Sequence, residues 1–293
     1  MKQISAGKQH CLLRIHQMRY SFKTAEKMLA DYILNNQEIV ISETMEGMAE
    51  SSGVSYSTVY RFYRKLGFSG FRQFKESLIF DFLNSNEVSS LIHSFSFREN
   101  KTIEEICENV IKLAYKVLED SYTIFDINEM SVVVDKLISA RRICFIGVGI
   151  SGLCARYAYC RFFRKGLNCV SDIDATLFKM QVSLLSEGDL LFAISSSGRT
   201  QTIVEAARLA KNNGVTVVGL SDFAITPLSK ASNYNLHTTS RNIDLMSDID
   251  MPLITGQITI IDMLYMCCTM KMGDAALQNF LKTDASAKSE KIG

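Results

Sequence analysis

The sequence has no long hydrophobic run, no C-x-x-C cysteine pair and few histidines, and each of these absences excludes a class of protein. No apolar stretch approaches the roughly 18 residues that a membrane-spanning helix needs. The N-terminus is not followed by the apolar core of a signal peptide. The sequence therefore predicts a cytoplasmic protein with no membrane partner.

Metal and cofactor chemistry has little support in the composition. The 4 histidines are scattered, and none of the 8 cysteines forms a C-x-x-C pair or a zinc-type spacing with a nearby histidine. We therefore predict no metal and no cofactor. We expect the cysteines to be small core residues in a reducing compartment.

Length and charge distribution indicate two domains of different character. The chain of 293 residues is long enough for about two domains, and 47% hydrophobic with 22% charged residues is typical of a soluble globular protein. Residues 1–82 hold 11 Lys and Arg against 8 Asp and Glu, whereas the remainder holds 21 against 23. The small basic excess therefore lies at the front of the chain.

A glycine turn between two short helical patterns predicts a helix-turn-helix unit in the front domain. Ala49 is small enough for two helices to approach, Gly53 lies in the turn, and Ser55 caps a following helix that runs to about Leu66. The predicted inward face of that helix comprises Val59, Phe62, Tyr63 and Leu66.

The outer face of the same helix carries the candidate DNA-binding residues. In this motif the start of the second helix enters the major groove, where Arg reads guanine and hydroxyl groups reach bases or phosphates. Lys65, Arg72 and Lys75 are better suited to phosphate contacts. The base-reading candidates are Ser55, Tyr56, Ser57, Tyr60, Arg61 and Arg64.

The second half of the chain alternates short apolar strands with helices, which predicts a parallel, doubly wound α/β sheet. The five strands are predicted at residues 143–146, 167–170, 190–194, 215–220 and 234–237. We expect the flavodoxin-like order 2-1-3-4-5, in which the first and third strands are neighbours. The predicted organisation is an all-α helix-turn-helix domain at 1–83, a linker at 84–101, the α/β domain at 102–281 and a mobile polar tail at 282–293.

Hydroxyl groups cluster where the third strand ends. Ser195-Ser196-Ser197-Gly198-Arg199-Thr200 opens a helix, whose free amides and positive dipole end attract anions. Ser151 adds a hydroxyl to the loop after the first strand. Because these two strands are expected to be neighbours, both loops would meet in one crevice that fits a single phosphate carrying a small polyol.

Two alternatives use other residues. Gly147 to Gly152 reads G-x-G-x-x-G with Asp172 near the end of the second strand, which is the pattern of an NAD(H)-sensing repressor. A phosphosugar isomerase would need a base beside the carbon that loses its proton. Its candidates are Asp244 and Asp248, with His237 in or at the end of the last strand. The segment 242–250 contains no Glu, which favours a sensor without catalysis.

This combination resembles the RpiR-type (MurR/RpiR) bacterial transcriptional regulators, which join a helix-turn-helix to a sugar isomerase (SIS) domain. The likeness runs roughly from residue 5 to 275 and includes Val54 to Phe62, Lys65 to Phe71, the 195–200 loop and Gly147 to Gly152. The resemblance implies a homodimer or homotetramer on double-stranded operator DNA. It also implies control of sugar or amino-sugar catabolism genes by a sugar-phosphate effector.

The resemblance also assigns roles to residues at the edge of the sheet. It implies that the hydroxyls of Ser151, Ser195, Ser197 and Thr200 hold the phosphate, and that Ser196 and Gly198 offer backbone N–H groups. It further implies that Ser221 and the segment 226–228 lie in the next loop, beside the sugar.

Overall fold

The computed structural model describes residues 11–79, 81, 102–222, 226–238 and 254–288. These residues form two compact units, an N-terminal unit that ends at Glu119 and a C-terminal unit that begins at Asp120. The division falls inside a long helix, later than the domain start at residue 102 that the sequence predicts. The predicted linker, residues 84–101, lies outside the described residues.

The N-terminal unit is helical, as the sequence predicts. Its apolar faces form one core in which Phe62, Phe68 and Phe74 are fully buried, and the Phe22 and Phe62 ring centroids lie 4.9 Å apart. The helices are α1 (Cys11–Met18), α2 (Thr24–Asn35), α3 (Gln37–Val40), α4 (Met45–Ser52), α5 (Tyr56–Lys65) and α6 (residues 71–79), with a 3-10 turn at Arg19–Ser21 and with α7 (Ile103–Thr123) crossing into the second unit.

The turn between α4 and α5 has the predicted local chemistry. Gly53 ends α4 with φ +68°, a left-handed conformation that favours glycine, and the Val54 amide donates to the Ala49 carbonyl at 3.0 Å. The Ser55 hydroxyl caps α5 by accepting from the Thr58 amide at 3.2 Å. All four residues predicted to face inward on α5 are buried, which confirms the predicted face.

The C-terminal unit contains one parallel sheet of five strands in the order β2-β1-β3-β4-β5. This is the flavodoxin-like order expected from the sequence. The register pairs Ile146 at the end of β1 with Ala193 near the end of β3. The strands are β1 (Ile143–Ile146), β2 (Cys169–Ser171), β3 (Leu190–Ile194), β4 (Thr216–Asp222) and β5 (Tyr234–Thr238).

Helices cover both faces of this sheet, which explains why its central strands are continuously apolar. Phe145 and Phe192 pack on one face, whereas Cys144 and Leu191 pack on the other. The helices are α8 (Ile127–Ser139), α9 (Ile150–Phe163), α10 (Ala175–Ser183), α11 (Gln201–Asn212), α12 (Pro227–Ala231), α13 (Thr255–Met272) and α14 (Asp274–Lys288).

The predicted polar tail begins inside α14 rather than after the last helix. Side-chain contacts hold this helix against the residues that follow α9: the Asn279 amide donates to the Lys165 carbonyl at 3.1 Å, and Arg164 pairs with Asp284 at 3.1 Å. Residues 282–288 are helical, so the last helix extends into the stretch for which the sequence predicts a polar tail.

The cysteines divide between core and surface. Burial raises the pKa of the Cys144 and Cys169 thiols to about 12, so both stay protonated at neutral pH. Cys107, Cys160 and Cys267 are exposed, which corrects the expectation of core positions for these three. Within the described ranges, no helix is both long and apolar enough to span a bilayer, and no cluster of His, Cys, Asp and Glu could hold a metal ion.

Candidate functional site

Residues 195–200, here called the serine loop, connect β3 to α11 at the carboxyl edge of the sheet. Ser195 is buried, and its Oγ lies 3.0 Å from the Thr200 Oγ1. Thr200 occupies the N-cap position of α11, but its side chain makes no cap hydrogen bond. Two hydroxyls that share one hydrogen bond retain one O–H donor between them, so the pair can still donate to an anion.

Gly198 lets the serine loop pack tightly against α12. Its φ is +61°, and a Cβ at this position would lie 2.3 Å from the Thr226 Oγ1. Its carbonyl accepts from the Leu228 amide at 3.0 Å. Its own amide donates to the Ser195 carbonyl at 2.9 Å, so this N–H is used inside the turn. The expectation that Gly198 offers a free amide is therefore corrected, and its contribution is the absence of a side chain.

Ser196 and Ser197 carry the exposed hydroxyls of the serine loop. The Ser196 carbonyl accepts from the Asp222 amide at 2.9 Å, which ties the loop to the end of β4. The Ser197 Oγ accepts from the Arg199 amide at 3.3 Å. Both hydroxyls retain a proton that can be donated to a ligand.

Gln257, which the sequence analysis did not identify, also belongs to this edge. It lies in the first turn of α13, is 2% exposed, and its Nε2 donates to the Ser196 Oγ at 2.8 Å. The available signal was a glutamine on an otherwise apolar helix face. Gln257 shares the buried face of α13 with Ile260, Ile261 and Leu264.

Gly147 to Gly152, here called the glycine loop, connects β1 to α9. Ser151 lies in the first turn of α9 and is buried. A Cβ on Gly147 would lie 2.3 Å from the Ser151 carbonyl oxygen, and one on Gly152 would lie 3.0 Å from the Gly147 oxygen. Because β1 and β3 are paired neighbours, the glycine loop and the serine loop leave the sheet at the same edge.

This packing gives Gly147 and Gly152 a structural role, since they allow the strand and the helix to approach each other. The Asp172 carboxylate accepts from the Asp174 amide at 2.9 Å, in the turn between β2 and α10. Asp174 in turn caps α10. These residues therefore have structural roles that are independent of a nicotinamide cofactor.

The residues considered for isomerase chemistry give no catalytic arrangement in the described part of the chain. Asp244 and Asp248 lie outside the described residues. His237 lies in β5, as predicted, and burial lowers its pKa, so its imidazole is neutral at pH 7.

The residues expected beside the sugar lie in β4 and at the start of α12. Ser221 is buried in β4, and Thr226 caps α12 by accepting from the Ser229 amide at 3.0 Å.

The N-terminal unit presents the second candidate site, on the outer face of α5. Tyr56 and Tyr60 are about half exposed, at 51% and 49%. Ser55, Ser57, Arg61 and Arg64 are exposed as well. The Arg61 Nε donates to the Ser57 carbonyl at 3.2 Å, within the same helix. The side chains predicted to read bases therefore share one solvent-facing surface.

The basic residues predicted to contact phosphates differ in how far they are engaged. The Lys65 Nζ bonds the Glu26 carboxylate at 2.7 Å and lies 5.2 Å from the Phe22 ring centroid. Lys75 donates to the Glu43 carbonyl at 2.7 Å, and burial lowers its pKa. Lys75 therefore joins helices rather than facing solvent. Arg72 is exposed and pairs with Glu76, one turn along α6.

Comparison with known proteins identifies the family. The rpiR-family helix-turn-helix domain matches residues 9–85, and the SIS domain matches residues 136–266. The HTH-type transcriptional regulator HexR of Pseudomonas aeruginosa is 32% identical over 253 residues, which are 85% of each chain. The chain belongs to the rpiR family of helix-turn-helix regulators with a SIS domain.

Other members of the family show the same extent of similarity. An uncharacterized HTH-type transcriptional regulator of Thermotoga maritima is 31% identical over 253 residues, 86% of this chain and 89% of the relative. The solved structure of Vibrio vulnificus NanR complexed with ManNAc-6P has a TM-score of 0.62 and 26% sequence identity, and covers 97% of this chain and 100% of NanR. The resemblance inferred from the sequence is thereby confirmed.

Proposed function

We propose that the protein is a transcriptional regulator whose binding to operator DNA is controlled by a sugar phosphate at the carboxyl edge of its sheet. The observation that carries the proposal is the serine loop, in which Gly198 packs against Thr226 while the serine and threonine hydroxyls surround the start of α11. A helix start with added hydroxyl donors is an anion site.

The phosphate would take its hydrogen bonds from both loops. Ser195, Ser197 and Thr200 supply hydroxyls from the serine loop, and Ser151 supplies one from the start of α9. The Ser196 backbone supplies an N–H group. Two helix N-terminal ends, of α9 and α11, then face the same dianion from neighbouring strands.

The N-terminal unit would bind DNA through α5. Arg61 and Arg64 are the candidates for bidentate contacts to guanine, and Ser55, Tyr56, Ser57 and Tyr60 reach bases or phosphates with hydroxyl groups. Lys65 and Arg72 bind the phosphate backbone and fix the register. A homodimer or homotetramer would place two such helices on a palindromic operator, about 34–36 Å apart for half-sites one helical turn apart.

Control requires that the sugar phosphate binds the DNA-bound and DNA-free states with different affinity. A coupling free energy of about 1–3 kcal/mol between the two sites is sufficient for a usable switch. NanR was solved with ManNAc-6P, so this N-acyl amino-sugar phosphate is the first effector candidate.

A thermal-shift screen combined with DNA gel shifts tests the proposal. We expect a sugar phosphate to raise the melting temperature more than inorganic phosphate does, to change operator binding, and not to be turned over. The double variant Ser197→Ala, Thr200→Ala should lose the response to the sugar phosphate but keep DNA binding. Arg61→Ala should lose DNA binding but keep the thermal stabilisation by the sugar phosphate. Stabilisation by NADH that Asp172→Ala removes would contradict the proposal, and so would turnover of the sugar phosphate.

A further inference from the structure

The Gln257 side chain has one hydrogen bond fewer than its burial requires. Its Nε2 donates to Ser196, but no donor in the described part of the chain lies within hydrogen-bonding distance of its Oε1, which is itself buried. Most buried polar atoms in folded proteins are hydrogen-bonded. A buried acceptor without a donor therefore needs a structural or functional explanation.

The surrounding contacts fix this amide beside the serine loop. Ser196 is held through its backbone by Asp222, so it does not depend on Gln257 for its position. The first turn of α13 is pressed against the end of β5, because a Cβ on Gly256 would lie 3.2 Å from the Thr238 Cβ and 3.3 Å from the Ser121 Oγ. The backbone at the start of α13 is therefore closely packed, and the hydrogen bond to Ser196 places the Gln257 amide at the loop where the phosphate is proposed to bind.

We propose that the Gln257 Oε1 accepts a hydrogen bond from an O–H or N–H group of the sugar portion of the bound sugar phosphate. This inference rests on the proposed function and extends it from the phosphate to the sugar. A site with a buried polar atom in place binds ligands that pair with it and rejects analogues that lack the donor, because the atom is then left unpaired. Gln257 is accordingly a specificity residue, and Ser196 positions it.

Calorimetric titration of the full chain and of Gln257→Met separates this role from simple support of the loop. The probes are inorganic phosphate, mannose 6-phosphate and N-acetylmannosamine 6-phosphate. Gln257→Met should weaken sugar-phosphate binding about tenfold, the effect of one lost hydrogen bond in a buried site. The affinity for inorganic phosphate should change less than about twofold, because phosphate lacks the sugar donor.

The matched control is Gln201→Met, the same substitution beside the serine loop. Gln201 is exposed, and its amide bonds Glu205 within α11, so the control should leave all three affinities unchanged. The melting temperature of unliganded Gln257→Met should equal or exceed that of the wild type, because an unpaired buried acceptor has been removed. Gln257→Leu provides a second apolar variant if the methionine variant folds poorly.

The outcomes are distinguishable. A loss for both sugar phosphates identifies a hydroxyl donor, whereas a loss for N-acetylmannosamine 6-phosphate alone identifies the amide N–H, and either result supports the inference. Equal weakening of phosphate and of the sugar phosphates overturns it, as does wild-type binding that is no tighter for the sugar phosphates than for phosphate, and the phosphate site stands in both cases. Absence of any phosphate binding by the wild type refutes the proposed function itself.

Discussion

The two candidate sites differ in how the chain builds them. On α5, the candidate DNA-binding side chains lie on one face of a single helix, whose other face is buried against the N-terminal core. At the sheet edge, the site is assembled from separate segments, and Ser196 and Gln257 meet although they are 61 residues apart in sequence. A site on one helix depends on individual side chains, whereas a site made of loops depends on how those loops pack.

The largest effect is expected from a substitution that unfolds the N-terminal unit and leaves the C-terminal unit folded. Phe62→Ala should cost the N-terminal unit about 3–5 kcal/mol, because it removes a fully buried ring from the contact with Phe22. We expect DNA binding to be lost at 37 °C while phosphate binding by the C-terminal unit persists. Calorimetry should show an earlier transition for the N-terminal unit alone. Loss of phosphate binding as well would show that the two units do not fold independently.

The next prediction tests whether the affinity of the proposed phosphate site depends on the packing of the serine loop. Gly198→Ala places a methyl group against Thr226 and requires a left-handed backbone from alanine, for a combined cost of about 2–4 kcal/mol. Phosphate affinity should fall steeply in titrations, while DNA binding remains. The matched control is Gly188→Ala, at φ +87° with no atom within 4 Å of the added Cβ. An equal loss of phosphate affinity in the control would contradict the packing argument.

A single side chain on α5 should produce a smaller and more selective effect. Arg61→Ala should weaken specific operator binding by about 1–3 kcal/mol, the value of one good bidentate base contact. Non-specific DNA binding should change much less. Arg72→Ala is the comparison, because loss of a phosphate contact lowers the affinity for all sequences alike and reduces the salt dependence of binding. Gel shifts with operator and random DNA at two salt concentrations distinguish the two residues.

The same contrast explains what could be predicted from the sequence. The buried and exposed faces of α5 follow from helical periodicity over a few residues, and Val59, Phe62 and Tyr63 are buried as expected. The serine loop was also found, because its hydroxyls are contiguous. The alternation of elements predicts a parallel sheet, and the flavodoxin-like order is expected because it brings the two polar loops together; the structure confirms that β1 and β3 are neighbours.

Features that depend on tertiary contacts were not accessible in this way. Nothing local shows that Lys75 reaches the carbonyl of Glu43, or that Gly198 packs against Thr226. Gln257 is preceded by residues 239–253, which lie outside the described part of the chain, and only the packing of α13 reveals its contact with Ser196. Periodicity identifies which face of an element is buried, but not which polar atom finds which partner.

The smallest expected effect is a pH dependence of the stability of the C-terminal unit. In the C-terminal unit the Asp189 side chain is 2% exposed and accepts from Arg141 at 2.9 Å, and this hydrogen bond holds the pKa of the carboxyl below its usual value. A depressed pKa contributes stability above the unfolded-state value of about 3.9, and that stability is lost as pH falls through the folded-state pKa.

Asp189→Asn should therefore destabilise the C-terminal unit by about 1 kcal/mol at pH 7 and by progressively less below about pH 4, because Arg141 itself is mostly exposed. Chemical unfolding of both proteins at several pH values measures this difference. Asp284→Asn is the control, since the Asp284 carboxyl is more exposed than that of Asp189 and should contribute less. A stability difference that stays constant from pH 7 to pH 3 would contradict the assignment and would indicate a packing role for Asp189.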